Sequence, residues 1–302
     1  MNKQSIEQFL GKLSLIAEKV NSYLDKWLPK NESEISANLN EAMRYSVMAG
    51  GKRIRPALTV MVAEGLGFCD EAVYKAGCAF ELYHTGTLIH DDLPCMDNDD
   101  LRRGRPTSHK VYGEAIAVLA GDCLMVKPFG WFAELANYGI SGDKIAKIVK
   151  IANDAFTEKG VFGGQMLDLL YENKKVDQKT LERIHHEKTA ALLKAAILSG
   201  AVLGNASNEQ YECLNLYSDK IGLLFQIVDD ILDIESDAAT LGKNTGRDVA
   251  LGKSTYPALL GLDGAKEYAR KTYEEAIQAI KPLGDKLSDL NDFAYYLLTR
   301  KS

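Results

Sequence analysis

The sequence predicts an all-α protein built as a single large helical bundle, and three observations support that prediction. Almost every long stretch repeats its apolar residues at three- and four-residue spacing, which is the period of an α-helix facing a core. Alternating β-branched runs beside two-residue turns, the signature of hairpins, are nearly absent. Proline is sparse, with 7 among 302 residues. We expect about 10–13 helices around a central apolar cavity, in one domain over residues 1–302.

The predicted helices follow one another along the chain with short connections. The first is amphipathic: Ile6, Phe9 and Leu13 recur on one face, and Lys12 and Glu18 lie between such positions, so it does not have the unbroken apolar run of a signal peptide. The same periodicity gives the rest. The full set is 5–28, 36–48, 55–66, 71–92, 112–137, 142–158, 160–172, 178–203, 208–236, 254–261, 265–280 and 286–300.

Two of these helices are apolar on more than one face, namely those at 178–203 and 208–236. All-round apolarity predicts a helix buried among other helices. Pro128 falls inside the helix at 112–137 and is expected to kink it. No run of 18 or more apolar residues occurs, so we expect no membrane-spanning segment.

Composition excludes several classes of protein. The chain carries 36 Lys and Arg against 42 Asp and Glu, a net charge of −6, whereas a nucleic-acid-binding protein needs a basic surface. The five cysteines are odd in number and never spaced as CxxC, which argues against a disulfide framework or a zinc site. Reduced thiols favour a cytoplasmic protein. The cysteines are Cys69, Cys78, Cys95, Cys123 and Cys213.

Aspartate is concentrated in two segments, here called the first aspartate segment (90–100, HDDLPCMDNDD) and the second aspartate segment (226–233, QIVDDILD). Asp229 and Asp233 are four residues apart and therefore share one helix face. Carboxylates among apolar residues are costly unless a cation accompanies them. Oxygen ligands without Cys or His favour Mg²⁺ over zinc. Solvated helix faces or a helix cap would explain one such segment more readily than two.

Basic residues accompany the acids. GGKRIRP at 50–56 places three cations in four positions, in a glycine-started turn that opens a helix. Helix amides and side-chain charge together suit an anion, although a solvated basic turn is the simpler alternative. Carboxylates hold a phosphate ester through Mg²⁺, and cations take the remaining charge, so the combination predicts a diphosphate with an apolar tail. Further cations flank the acidic segments or interrupt an apolar helix: Arg102, Arg103, Lys188, Lys243 and Lys253.

Three other sites were considered and rejected. The GKST at 252–255 resembles the end of a P-loop, but Arg247 stands where its first glycine should be and no strand precedes it. An EF-hand fails because Leu101 and Arg102 stand where a calcium ligand and a glycine should be. A metal-dependent phosphohydrolase of the HD type would need further histidines as ligands, with a second His–Asp pair beside the one at 90–91.

The sequence resembles the short-chain trans-prenyl diphosphate synthases over essentially its whole length. Asn244 stands where many members of that family carry proline. The resemblance implies an isoprenoid-synthase-type helical bundle, a homodimer, and a Mg²⁺-dependent head-to-tail condensation of isopentenyl diphosphate with an allylic diphosphate. The matching stretches, in family order, are GGKRIRP (50–56), LIHDDLPCMDNDDLRRGRPTSH (88–109), GGQMLDL (163–169), HEKTAALLKAAILSGA (186–201), FQIVDDILDI (225–234) and LGKNTGRDVALGKSTYPAL (241–259).

The resemblance also implies roles for individual residues. Three Mg²⁺ ions are expected on Asp91, Asp97 and Asp229. The wider catalytic set adds Asp92, Asp230, Lys188 and Arg102. The allylic diphosphate is expected to be held by Arg102, Lys188, Thr189, Gln226, Lys243 and Lys253. Isopentenyl diphosphate is expected near Lys52, Arg55, His84 and Arg103.

The growing isoprenoid tail is expected to run down the helix that carries Asp91. Gly86, five residues or about 7.5 Å earlier, stands where bacterial farnesyl synthases usually have tyrosine, and Thr87 and Tyr83 are expected to line the tail. A missing ring at Gly86 would leave room for another isoprene unit unless another side chain fills the gap, so geranylgeranyl diphosphate is the favoured product and farnesyl diphosphate the alternative. Gly86→Tyr is expected to shorten the product.

Two alternatives from other classes remain. A terpene cyclase shares the fold and one acidic motif, but usually lacks the GGKRIRP element and the paired aspartates of the second segment. A non-catalytic partner subunit would normally have lost one of the two segments, and both are intact in this chain. The expected partners are small isoprenoid diphosphates and a second copy of the chain, without nucleic acid.

Overall fold

Helices make up nearly all regular structure in the computed structural model, which describes residues 3–30, 34–239 and 254–301. Among these residues there are thirteen α-helices, so the all-α prediction is confirmed. The helices are α1 Lys3–Trp27, α2 Glu34–Val47, α3 Ile54–Gly65, α4 Glu71–Asp91, α5 Ser108–Tyr112, α6 Glu114–Ala133, α7 Gly142–Phe156, α8 Val161–Tyr171, α9 Gln178–His185, α10 Ala191–Leu203, α11 Asn208–Ala239, α12 Tyr256–Ile280 and α13 Ser288–Thr299, with 3₁₀ turns at Glu134–Tyr138 and Lys281–Leu287.

The centre of the bundle is an antiparallel pair, α4 and α6. The two helices approach closely at glycines: a Cβ on Gly86 would lie 2.8 Å from the carbonyl oxygen of Gly121, and a Cβ on Gly121 would collide with the ring of His90. Further along the pair, Phe80 packs on Phe132 with ring centroids 5.3 Å apart. The packing of α4 on α6 fixes the position of the C-terminal end of α4, where Asp91 lies.

The all-round apolar helix predicted at 178–203 is buried where it forms α10, as expected. α10 packs against α3, where Thr59 Oγ1 donates to the Ala196 carbonyl at 3.1 Å and a Cβ on Gly200 would lie 2.6 Å from the Thr59 carbonyl. The prediction was less accurate for α11, whose Leu216 is 55% exposed. One face of α11 meets solvent.

Helix boundaries differ from prediction at two glycines. The helix predicted over 112–137 is divided at Gly113, whose φ of 85° ends α5 before α6 begins. The helices predicted at 254–261 and 265–280 are joined as α12, with a kink at Gly261, where φ is 73°. Glycine adopts such left-handed angles without the steric cost of a side chain.

A short β-hairpin, which the sequence prediction missed, provides the strands found among the described residues. Strands β1 (Leu101–Arg102) and β2 (Arg105–Pro106) pair antiparallel. Arg103 and Gly104 connect them with φ values of 53° and 74°. Positive φ at both central positions is typical of a type I′ turn. The Arg-Gly pair was the available signal, but the strands are too short to show alternation.

The segment Glu114–Tyr138 is long and apolar enough to cross a membrane by length and composition. Asp122 and Lys127 interrupt this segment, so it is not an unbroken apolar run, and the expectation that no segment spans a membrane stays a prediction. A core helix of a soluble protein passes the same test, and α6 packs one face on α4. The helix continues through the buried Pro128. Its other face exposes Val118, Leu119 and Val126.

All five cysteines fall within the described residues, and each is a free thiol. Cys78 is buried, Cys69 and Cys95 are exposed, and the other two are intermediate. The cytoplasmic localisation inferred from reduced thiols, and the single domain over the whole length, stay predictions.

Candidate active site

The first aspartate segment folds back over the C-terminal end of α4. Asp91 is the last residue of the helix, and its carbonyl accepts from the Asp97 N–H at 2.8 Å. The Asp92 carbonyl accepts from the Asp99 N–H at 3.1 Å. Asn98 takes a left-handed φ of 51°, which asparagine tolerates better than most residues. This turn brings Asp97 back beside Asp91.

The Asp91 carboxyl is the most perturbed acid of the first segment. Burial raises its pKa to about 6, Lys188 opposes that rise, and Asp97 adds to it. A buried carboxyl beside a second acid gains from any cation that approaches both. Asp91 and Asp97 therefore form a site for positive charge, and Lys188 faces it from another element.

Asp92 turns the other way and anchors the hairpin. It is 3% exposed and accepts from Arg102 at 2.7 Å (Nε) and 2.6 Å (Nη2). Arg102 also reaches Asp99 at 3.2 Å. The structure therefore gives Asp92 a fixed partner in the protein, while its neighbour Asp91 faces the site.

The hairpin carries Arg103 to the basic turn at 50–56. Its guanidinium donates to the Gly50 carbonyl and lies over Gly51, where a Cβ would be 2.7 Å from Arg103 Cζ. Gly51 has a φ of 128°, so a side chain is excluded both by conformation and by space. Gly51 is therefore explained by its close contact with Arg103, whereas Gly50 has open space at its Cβ position and is favoured by its φ of 91°.

The three cations of the basic turn do not have the same role. Arg53 points into the core, where it donates to Glu81 at 2.8 Å and to the Val47 carbonyl at 2.6 Å. Its side chain is fully buried, and its left-handed φ of 49° turns the chain there. Arg53 holds the turn, which leaves Lys52 and Arg55 to face a ligand.

Arg55 and His84 lie together in an electropositive pocket with Arg103. The Arg55 Nε atom is buried and has no hydrogen-bond partner. Burial lowers the pKa of Arg55 to about 10, and Arg103 contributes to the same effect. Burial, followed by the charges of Arg55 and Arg103, lowers the pKa of His84 well below its usual value, so His84 is neutral. The residues expected to hold isopentenyl diphosphate are thus brought together.

Lys188 and Thr189 lie in a π-helical turn, His186–Ala190, that interrupts the helix predicted over 178–203. Such turns are frequent at functional sites. The turn is wedged between glycines: a Cβ on Gly164 would collide with the backbone of Lys188. Lys188 Nζ lies 2.5 Å from Asp168 Oδ2. The wider turn projects Lys188 toward the acids instead of along the helix.

The two adjacent acids of the second aspartate segment, Asp229 and Asp230, also have different surroundings. Asp230 is 2% exposed and accepts from the Tyr256 N–H at 3.0 Å, at the start of α12. Gln226 links it to the π-helical turn, since Gln226 Nε2 donates to Asp230 at 3.2 Å and Thr189 Oγ1 donates to Gln226 at 2.9 Å. Asp230 therefore positions elements around the site, as Asp92 does.

Asp229 remains more open, with a side chain 39% exposed, and carries an ion pair with Arg300. Arg300 follows α13 and was not anticipated from the sequence, where nothing local connects the two residues. Lys52 is close to both: burial and then Arg300 lower the pKa of Lys52, and Asp229 raises it. Lys52 of the basic turn therefore lies close enough to the second aspartate segment to interact electrostatically with Asp229 and with Arg300.

At Gly86 the structure shows the case in which another element fills the gap. The space where its side chain would lie is occupied by α6, with Met125 Cγ 2.8 Å and Leu124 Cβ 3.2 Å from an added Cβ. Tyr83, one turn below, is instead a firm wall: its ring stacks on Phe156 with centroids 3.6 Å apart. Its hydroxyl donates to the Phe156 carbonyl.

Thr87, the third expected wall residue, is 9% exposed, and its hydroxyl donates to the His84 carbonyl at 2.9 Å. Its hydroxyl is thus turned back onto its own helix. Two further expected residues, Lys243 and Lys253, lie outside the described residues.

Among the described residues, no group of three or more His, Cys, Asp or Glu side chains converges closely enough to hold a metal by itself. That finding fits Mg²⁺, which is usually held by one or two carboxylates together with substrate phosphates and not by an all-protein cage. The paired acids Asp91 and Asp97, and separately Asp229, fit this pattern. The donor set contains oxygens of the kind Mg²⁺ prefers.

Comparisons with known proteins place this chain among well-described relatives. The family model for polyprenyl synthetase matches residues 36–290, which include both aspartate segments. The geranylgeranyl pyrophosphate synthase 3, chloroplastic, of Arabidopsis thaliana is 47% identical over 263 residues, covering 86% of this chain and 72% of that protein. A dimethylallyltranstransferase of Fischerella ambigua is 41% identical over 284 residues, covering 94% and 81%.

A solved structure gives the same result for the fold. The apo crystal structure of an FPP/GFPP synthase from Zymomonas mobilis superposes with a TM-score of 0.87 and 33% sequence identity. The superposition covers 97% of this chain and 100% of that chain.

Proposed function

The chain belongs to the polyprenyl synthetase family and is a prenyltransferase, and on that premise we propose that it condenses isopentenyl diphosphate with dimethylallyl, geranyl and farnesyl diphosphates. We further propose that geranylgeranyl diphosphate is its main product. The observation that supports the proposal is that acidic and basic side chains lie close together. Asp91 and Asp97 lie opposite Lys188, and Asp229 lies near Lys52 and Arg55.

The acids provide the metal sites in this proposal. Asp91 and Asp97 on one side, and Asp229 on the other, would hold Mg²⁺ together with the allylic diphosphate, and three ions are expected. Bound there, Mg²⁺ supplies positive charge against the charge that develops on the departing diphosphate. Asp92 and Asp230 are proposed to hold the surrounding elements in position and not to bind metal, because each already accepts hydrogen bonds within the protein.

The bases divide between two substrates. Lys188, with Thr189 and Gln226 beside it, faces the allylic diphosphate, and its charge stabilises the leaving group as the carbon–oxygen bond breaks. Arg102 flanks the same diphosphate while holding Asp92. The isopentenyl double bond then attacks the allylic cation. In this proposal the released diphosphate accepts the proton that the condensed product loses.

Isopentenyl diphosphate is proposed to occupy the pocket of Lys52, Arg55, His84 and Arg103. The buried Nε of Arg55, which has no hydrogen-bond partner, supports this, because a guanidinium donor suits a phosphate oxygen. His84 is neutral and therefore able to donate one hydrogen bond without adding charge.

The proposed twenty-carbon product rests on the wall below Asp91. Tyr83 lies eight residues before Asp91, about 12 Å along the helix, and is fixed by its contact with Phe156. Phe162 of α8 closes the same corner, with its ring centroid 6.2 Å from that of Tyr83. A farnesyl product is the alternative, since the depth to which a tail reaches depends on how tightly these rings close.

The exposed face of α6 supports a homodimer. Val118, Leu119 and Val126 are 38%, 54% and 66% exposed and, with the exposed Asp122 among them, form a mainly apolar stripe along one side of the helix. We propose that the same stripe of a second copy covers it, as in a two-fold interface. Leu119→Lys with Val126→Lys should then give a monomer by light scattering. Binding of the unaltered chain to lipid vesicles, with a monomer in solution, would contradict the dimer.

The proposed activity is tested by incubation with Mg²⁺, isopentenyl diphosphate and radiolabelled dimethylallyl or farnesyl diphosphate. Chromatography of the dephosphorylated product should give a linear twenty-carbon alcohol. A fifteen-carbon alcohol as the final product would favour the farnesyl synthase, and a cyclic hydrocarbon would favour the terpene cyclase. Absence of turnover would favour the non-catalytic partner subunit.

A further inference from the structure

Arg300 is built into the second aspartate segment from a distant part of the chain. It follows α13, and its backbone N–H donates to the Tyr296 carbonyl at 2.9 Å. Its Nη2 donates to Asp229 Oδ1 and to the Phe225 carbonyl at 3.2 Å. The guanidinium lies over the Phe225 ring, 4.4 Å from the centroid. Contacts to a carboxylate, a carbonyl and a ring hold one cation in one place.

The burial of Arg300 separates this pair from an ordinary surface ion pair. Its side chain is 4% exposed, whereas that of Asp229 is 39% exposed. The Nε atom of Arg300 is buried without a hydrogen-bond partner. Leaving a buried donor unpaired is costly. The placement of Arg300 therefore favours its pairing with Asp229, which is the more exposed member of the pair.

We propose that Arg300 is a resident counter-cation of Asp229, which disfavours Mg²⁺ alone at the second aspartate segment and accommodates Mg²⁺ that arrives bound to a diphosphate. This inference rests on the metal role proposed for Asp229. A guanidinium and a divalent cation compete for the same carboxylate oxygens, and even side by side they repel each other.

The sign of the net charge explains the selectivity. A bare Mg²⁺ ion that approaches the Asp229 carboxylate is repelled by Arg300, which is paired with that carboxylate, and by Lys52. A one-to-one complex of Mg²⁺ with pyrophosphate is negatively charged overall, so the same two groups attract it when it first arrives. The lowered pKa of Lys52, caused by burial and then by Arg300, is consistent with the two cations lying in one field. Arg300 thereby couples metal binding at Asp229 to the presence of substrate.

Metal titration tests this directly and does not depend on turnover. Free Mn²⁺ is measured by electron paramagnetic resonance during titration of the unaltered chain and of Arg300→Met, with and without inorganic pyrophosphate. Without pyrophosphate, Arg300→Met should bind Mn²⁺ roughly tenfold more tightly, about 1.4 kcal/mol. With pyrophosphate, the difference should fall to about threefold or less. Adding Asp229→Asn to Arg300→Met should remove the gain.

Matched variants separate charge from structure. Arg300→Lys keeps the charge and should behave as the unaltered chain, whereas Arg300→Gln, uncharged but polar, should repeat the gain of Arg300→Met. Arg44→Met removes a cation that is paired with Asp25 of α1 and not with an acid of either aspartate segment, and should change nothing. Unaltered Mn²⁺ affinity in both Arg300→Met and Arg300→Gln would overturn the inference alone. Failure of the unaltered chain to bind Mn²⁺ even with pyrophosphate would overturn the metal role of Asp229 as well.

Discussion

The first aspartate segment is assembled by its neighbours in sequence, whereas the second depends on helices that lie far along the chain. Asp92 meets Arg102, ten residues away, and Asp97 folds back on Asp91 through one backbone hydrogen bond. Asp230 instead meets Tyr256, 26 residues away, and Asp229 meets Arg300, 71 residues away.

Both segments nevertheless divide their paired acids in the same way. One aspartate of each pair, Asp91 or Asp229, faces the site, and the following one, Asp92 or Asp230, is buried and bonded to the protein. On a helix, adjacent residues point about 100° apart, so a DD pair at a helix surface cannot place both side chains on one ligand. The pair therefore combines a ligand with an anchor.

The largest expected effect follows from replacing the outward acids. Asp91→Asn or Asp229→Asn should lower turnover by about 10³-fold or more, because charge that stabilises the leaving group is lost. Initial rates at saturating substrates measure it, and circular dichroism should show unchanged helix content. If either variant turns over at the normal rate, its carboxylate has no part in holding metal.

Replacing the inward acid of the first segment should act on stability. Asp92→Asn breaks a buried ion pair and leaves Arg102 without its main partner, which should lower the free energy of unfolding by about 3 kcal/mol. Urea denaturation measures this. Asp100→Asn, which removes an exposed pair with Lys110, is the matched control and should cost less than about 1 kcal/mol. Equal losses in the two variants would contradict the anchoring role of Asp92.

The helix that leads to the first segment should respond differently at two neighbouring wall positions. Gly86→Ala should lower the free energy of unfolding by about 1–3 kcal/mol, because α6 leaves no space for a Cβ, and should not change product length. Tyr83→Ala should lengthen the product by removing the ring fixed on Phe156. Chromatography of dephosphorylated products measures both. A shorter product from Gly86→Ala would restore the tail position expected from the sequence.

The smallest effect concerns a histidine behind the second segment. His185 stacks beside Tyr256, and burial lowers its pKa to about 3. The unfolded chain binds a proton near pH 6.5 and the folded chain does not, so stability falls as the pH drops from 6.5 toward 3 and is independent of this group above 6.5. His185→Phe should flatten that part of the stability curve. An unchanged slope would mean that other groups determine it.

The sequence allowed the fold class and most of the first segment to be predicted because the relevant signals are local. Helical periodicity located the helices, and the acids of 90–100 lie next to Arg102 and Arg103. The hairpin was not predicted because its strands are only two residues long. The π-helical turn was not predicted because the helical periodicity over 178–203 does not show that one turn within it contains an extra residue.

The second segment shows where such reasoning stops. Nothing near Asp229 indicates Arg300, since the contact depends on where α13 ends in space. Gly86 shows a related limit: a glycine on a buried helix signals either open space or a close neighbour, and only the position of α6 distinguishes them. Long-range packing, and not residue type, decided both cases.

Counting metal ions per chain tests most directly whether the two acids of each pair have different roles. Mn²⁺ bound in the presence of pyrophosphate should approach the three expected ions in the unaltered chain. It should fall in Asp91→Asn and Asp229→Asn and persist in folded Asp92→Asn and Asp230→Asn. Equal loss of metal from the inward and outward variants would contradict the division of each pair into ligand and anchor.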